Sequence, residues 1–307
     1  MEEIFYPSKD GKNTVHACIW RPQGQPRGVI QIIHGMCEYI ERYAPFAEFL
    51  TSQGFIVCGE DHLGHGKTVK DTEDLGYFCD SRDYQTVIAD IRELQLHVQE
   101  ETRGLPYFIM GHSMGSFFCR NCIALFGGDF DGAIIMCTGF KSGLTLNTAL
   151  AVVRMNALFT GWRNRSKAIK KLAFGAYNKK FQPERTANDW LSVNTENVDR
   201  YNADPLCGFP FTNNGYKILF SVIKAACKKK TINAVPKDLP VLFVAGDCDP
   251  VGDYGKGVIK AYTKFKKAGV KDVGMKLYAT CRHEILNDNC RGEVEGDILS
   301  FLNAHIK

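Results

Sequence analysis

The chain of 307 residues is long enough to bury a sizeable core, and its 45% hydrophobic and 23% charged content, with a net charge of +4, excludes a disordered, fibrous or strongly polyionic protein. Its longest apolar runs, such as 133–137 and 241–245, are far shorter than the roughly 20 residues that span a bilayer. The start MEEIFYPSKDGK is acidic where a signal peptide would be basic, so a cytoplasmic protein is expected, with its 12 cysteines reduced and mostly buried.

In chain order, strand-like runs fall at 28–35 (GVIQIIHG), 55–61 (FIVCGED), 107–113 (YFIMGHS), 132–139 (GAIIMCTG), 240–247 (PVLFVAGD) and 275–280 (MKLYAT). Most are apolar throughout, the pattern of parallel strands covered on both faces. Helical periodicity lies between or after them at 44–53, 84–101, 254–269 and 293–304. This alternation predicts an open, doubly wound, mostly parallel α/β sheet. The block 141–235 breaks the rhythm, with helical stretches at 144–159, 166–177 and 216–229. It carries 16 Lys and Arg against 5 Asp and Glu, a balance of +11, which leaves −7 for the rest. The expected organisation is a core at 1–140, a helical cap insertion at 141–235 and a second part of the core at 236–307.

The chemistry begins at GHSMG, residues 111–115, where a strand-like run meets a helix-like one. This is the G-x-S-x-G nucleophile elbow: a sharp turn presents the serine, and glycines are needed on both sides because side chains there would collide with neighbouring backbone. Ser113 is thus the candidate nucleophile, and a serine hydroxyl needs a base and a group to orient that base. Two histidines follow it, His283 in CRHEILND and His305 near the end of the chain. His283 follows the last strand and is favoured; His305 is expected to be a solvated surface residue. For the acid, GDCDPVGDYG offers Asp247 at the strand end, Asp249 at the loop crest and Asp253 as a helix cap, with Asp249 favoured and Asp247 its rival. Oxyanion donors are expected from the backbone N–H groups of Met36, after the HG turn of IIHGMCE, and of Met114.

Other motifs have plainer readings. His34 is a rival for the base, but it precedes Ser113 and is expected to order the HG loop, and DHLGHG (61–66) is read as a hydrogen-bonded glycine-rich loop, since no further clustered ligand accompanies it. Cys119 and Cys122 form a CxxC without a second pair, so no metal or redox role is assigned. No metal or cofactor is required by the expected chemistry. Nucleic-acid binding is a rival function for a basic block, but its positive residues are spread out and carry no recognised motif.

Together HGMCEYIERY, DHLGHG, GHSMGS, GDCDPVGDYG and CRHEILND resemble the monoacylglycerol lipase and bacterial lysophospholipase branch of the α/β-hydrolases. The resemblance implies an α/β-hydrolase fold, a triad of Ser113, Asp249 and His283, an oxyanion hole at Met36 and Met114, and a cap that shapes an acyl pocket and, in lipid-active members, touches the membrane. The implied function is a serine carboxylester hydrolase acting on monoacyl lipids, monoacylglycerol or lysophospholipid, with a carboxylesterase for short-chain or aromatic esters as the alternative. Within the basic cap, CGFPFT (207–212) offers Phe209 and Phe211 as pocket-lining residues, with core packing as the plainer reading. Helix 144–159 either gates the entrance or simply packs. The basic cap would favour anionic headgroups or membrane surfaces.

Overall fold

The computed structural model describes residues 1–306. Its strands are β1 (Glu2–Pro7), β2 (Thr14–Trp20), β3 (Gly28–Ile33), β4 (Phe55–Glu60), β5 (Tyr107–His112), β6 (Gly132–Met136), β7 (Val241–Gly246) and β8 (Val273–Tyr278), in the spatial order β1-β2-β4-β3-β5-β6-β7-β8. From β4 to β8 every pairing is parallel; β1 and β2 join antiparallel at one edge. The central strands β3 to β6 are buried along their whole length, which is why their sequences are continuously apolar.

The sequence reading lacks β1 and β2. Most of β1 is open to solvent and it begins with two glutamates, so it shows no continuous apolar run. Its pairing with β2 makes it an edge strand.

Helices α1 (Ala44–Ser52), α2 (Tyr84–Glu101) and α3 (Met114–Phe126) alternate with the strands. Asp83 caps α2, its carboxylate accepting from the Gln85 N–H at 3.1 Å, and Val87, Ile91, Leu94 and Val98 form the buried stripe. Between β6 and β7 lie α4 (Gly143–Thr160), α5 (Lys167–Phe174), α6 (Thr195–Ala203), α7 (Asn213–Ala226) and α8 (Lys229–Ala234), and no strand. Ser142, Ser166, Asn194 and Thr212 cap four of these helices. Helix α4 packs on α7, and α7 and α8 pack on α3. The fully buried Arg120 of α3 donates to the carbonyls of Gly139 at 3.0 Å and Ala226 at 2.8 Å, tying the helix after Ser113 to the start of the helical block and the end of α7. The chain closes with α9 (Lys256–Lys267) and α10 (Arg291–His305).

Two expectations are corrected. Asp253 is not a helix cap: it sits at φ 51 in the preceding turn, and Gly255 holds the cap position of α9 without a side-chain bond. Nor are all 12 cysteines reduced, because Cys281 and Cys290 form a disulfide with their Cα atoms 6.6 Å apart. The loop between them doubles back, which no sequence periodicity announces. The other ten are free.

Candidate active site

The elbow is built as its glycines require. Ser113 takes φ 53 and ψ −118, between β5 and α3, a strained conformation for a residue with a side chain. A Cβ on Gly115 would overlap the carbonyl oxygens of Ile33 and His34, and one on Gly111 would overlap that of Gly115.

At the carboxyl ends of three parallel strands the side chains meet. His283 Nε2 lies 2.8 Å from Ser113 Oγ, and His283 Nδ1 lies 2.9 Å from Asp249 Oδ2. The other Asp249 oxygen accepts from the Val251 N–H at 2.8 Å, so the buried carboxylate is fully engaged. With Nδ1 donating to Asp249, Nε2 is left to accept the serine proton. Asp247 instead accepts from the Thr280 N–H at 2.8 Å, an exposed turn bond. His305 pairs with Asp272 at 3.0 Å at the end of α10, away from this constellation.

The Met36 and Met114 backbones flank Ser113 in the wall of one cavity, and neither amide has a hydrogen-bond acceptor among the described residues. Buried His34 supports the loop: Nδ1 donates to the Gly35 carbonyl at 2.8 Å and Nε2 accepts from the His62 N–H at 3.0 Å. Burial, with His62 and His65 alongside, pushes its pKa well down and keeps it neutral. In the DHLGHG loop, Asp61 is committed to His16 and to the N–H groups of Ile40 and Lys67, each at 2.8 Å.

The cavity, of about 1040 Å³, is predominantly apolar. Phe209, Phe211, Phe174, Leu219, Phe220 and Trp190 form part of its wall, the Trp190 ring 5.1 Å from that of His283. Five lysines, Lys141, Lys167, Lys170, Lys171 and Lys179, line it too, and none forms an ion pair with a described side chain. Helix α4 buries Leu146, Leu150, Val153 and Ala157, while Leu144, Leu158 and Phe159 are each at least three-quarters exposed.

One buried network was not foreseen, although its charged members and His112 stand inside quoted motifs. Arg42 bridges Glu38 (2.6 Å) and Glu284 (2.9 and 2.8 Å), and Asn197 of α6 donates to Glu284 at 2.7 Å. His112, the second residue of GHSMG, lies 3.0 Å from Glu38 Oε1 and 3.2 Å from the His283 carbonyl oxygen. Both its nitrogens therefore face acceptors. Burial opposes a charged imidazole here, but the bond to Glu38 overrides it and raises the pKa of His112. Burial likewise works against ionised Glu38 and Glu284, yet His112 and Arg42 hold the first low and Arg42 holds the second low. The Glu38–Arg42 spacing of four residues was the only signal available in the sequence.

A raised folded-state pKa means that the stability His112 contributes is complete below its unfolded value of about 6.5 and is lost as pH rises through the folded value. Denaturant midpoints are expected to fall as pH is raised from about 6.5 through the folded value, and less steeply in His112→Asn. Equal slopes in the two proteins would contradict this assignment.

An eight-stranded, mostly parallel sheet flanked by helices, with a nucleophile elbow at the carboxyl edge of β5, defines an α/β-hydrolase. A family model named Hydrolase_4 and described as serine aminopeptidase, S33, matches residues 24–290, and the chain belongs to that family. A monoglyceride lipase of Rattus norvegicus is 27% identical, over 94% of this chain and 84% of its own. A monoacylglycerol lipase of Mycolicibacterium smegmatis is 25% identical, covering 94% and 92%. Among solved structures, a highly thermostable carboxyl esterase from Bacillus coagulans in complex with glycerol superposes with a TM-score of 0.93 at 32% identity, covering 100% of this chain and 99% of that one.

Proposed function

We propose that the protein is a serine carboxylester hydrolase acting on monoacyl lipids, with Ser113 as nucleophile, His283 as general base and acid, and Asp249 as the group that orients it. The observation that carries this reading is the hydrogen-bonded chain from Ser113 through His283 to Asp249, opening on a large apolar cavity. His283 takes the proton as Ser113 attacks the ester carbonyl, and the Met36 and Met114 amides receive the charge on the carbonyl oxygen. His283 returns the proton to the departing alcohol, and water then releases the fatty acid from Ser113 by the same route. The segment 141–235 acts as the cap, with Phe209 and Phe211 against the acyl chain.

Monoacylglycerol is supported by the named activities of the relatives. The unpaired lysines favour an anionic headgroup as well, such as that of a lysophospholipid, and with exposed Leu144, Leu158, Phe159 and Leu172 they suit docking on an anionic lipid surface. A peptidase would need a free carboxylate for the substrate ammonium. In the cavity Glu38 and Glu284 are bound to Arg42, which leaves Glu184, accepting only from the neutral Asn178 amide at 2.8 Å, as the carboxylate there without an ion pair among the described residues.

The second reading, a carboxylesterase for short or aromatic esters, is favoured by the 32% identity to the Bacillus esterase. Fatty-acid release from a monoacylglycerol and an anionic lysophospholipid of equal chain length, measured at low and high salt, separates the readings. The account predicts turnover of both, with salt slowing the anionic substrate more because it screens the lysines. Negligible release from both, beside rapid hydrolysis of short or aromatic esters, would establish the second reading instead.

A further inference from the structure

Cys37, the residue after Met36, takes φ 56, a left-handed backbone that persists only where the surroundings enforce it. Its hydrogen bonds among the described residues all run to one stretch of the helical block. The Cys37 carbonyl accepts from the Gly208 N–H at 3.0 Å and from the Tyr201 hydroxyl at 3.2 Å, and the Cys37 thiol donates to the Phe209 carbonyl at 3.0 Å. On the other side of Met36, the Gly35 N–H donates to Glu38 Oε1 at 2.6 Å. The Met36 peptide thus lies between one clamp from its own loop and another from residues 201–209.

From this we infer that Tyr201 and Cys37 are positioning residues for the oxyanion hole, fixing the direction of the Met36 N–H from the cap side. The inference rests on the roles proposed for Ser113 and Met36. It adds that the cap, besides walling the cavity, completes the electrostatic part of the site. A donor turned away from the developing charge loses most of its value, because an oxyanion hole works through dipoles already aimed. Tyr201 is buried, and its hydroxyl has no other partner among the described residues, so removing that oxygen perturbs chiefly this contact.

Steady-state kinetics of Tyr201→Phe, Cys37→Ala and Cys37→Ser decide the matter, measured on a long-chain monoacylglycerol and on p-nitrophenyl acetate. The acetate needs the oxyanion hole but not the acyl cavity. Tyr201→Phe and Cys37→Ala are expected to lower kcat about tenfold on both substrates with KM within about twofold, less than the ~10²–10³ lost when a donor itself is removed. Cys37→Ser keeps a donor for the Phe209 carbonyl and is expected to recover most of the loss. The double variant Tyr201→Phe with Cys37→Ala should lose less than the product of the single losses, since both act on one peptide.

A loss confined to the long-chain substrate, a raised KM at unchanged kcat, or equal kcat in Cys37→Ala and Cys37→Ser would overturn the inference and leave these residues as cavity wall. Tyr201→Phe removes one oxygen and opens no large void, so it decides the question by itself if Cys37→Ala fails to fold. Loss of turnover in Ser113→Ala tests the proposed function, so the two proposals fail separately.

Discussion

Ser113→Ala is expected to lower ester turnover by at least about 10⁴-fold, because the remaining parts of such a site retain only binding and oxyanion stabilisation. The fold should survive, with a stability change within about 1 kcal/mol, since alanine keeps the Cβ and loses one hydroxyl bond. Asp249→Asn is expected to cost turnover on the same order, about 10⁴-fold, by holding the wrong tautomer of His283. Asp247→Asn touches only the exposed turn bond to Thr280 and should leave turnover within about twofold. Initial rates on one ester, with thermal unfolding as the control for folding, check all three. Comparable losses at Asp247 and Asp249 would undo the assignment of the acid.

The largest effect on stability is expected from Arg42→Met. The guanidinium is nearly buried between Glu38 and Glu284, which are themselves buried. Its removal leaves Glu284 without a counter-charge and Glu38 with only His112, two carboxylates facing each other, a loss of about 3–5 kcal/mol by analogy with broken buried ion pairs. In the native protein both carboxylates have depressed pKa values, so their contribution is present above the unfolded value of about 4.3 and is lost as pH falls through the folded values. Without Arg42 the carboxylates are driven to take up protons, so the deficit should grow as pH rises. Urea unfolding at mildly acidic and mildly alkaline pH measures this; a deficit below about 1 kcal/mol at both would place the network among ion pairs of little consequence. Activity should fall too, because His112 links Glu38 to the His283 backbone.

How much of this was legible in the sequence depends on the range of the forces involved. Strands β3 to β6 were readable because a strand covered on both faces must be apolar at every position. The elbow was readable because the close approach of Gly115 to the carbonyls of Ile33 and His34 admits no side chain, and that demand is written in five consecutive residues. Ser113, Asp249 and His283 could be picked out because their order along the chain and their places after strands are properties of the sequence. Helix α6, only Thr195–Ala203, was missed because Val198 and Tyr201 are its only buried large side chains and most of its surface is polar.

The Arg42 network and the Cys281–Cys290 pair were out of reach for a different reason. The cysteines, nine positions apart, meet only because the irregular loop between them doubles back, while Arg42 and Glu284 are 242 positions apart and meet only through the fold. The same applies to the contact of Tyr201 with Cys37, across 164 positions. Local patterning announces which residues turn inward, not which of them meet.

The most direct test of the central claim is the rate of fatty-acid release from a long-chain 1-monoacylglycerol, with Ser113→Ala protein as the blank and a short-chain ester as the comparison. The account predicts rapid release that vanishes in the variant and exceeds the rate on the short ester, because the acyl chain fills the cavity beside Ser113. Release that is negligible, or that persists in Ser113→Ala, would contradict it.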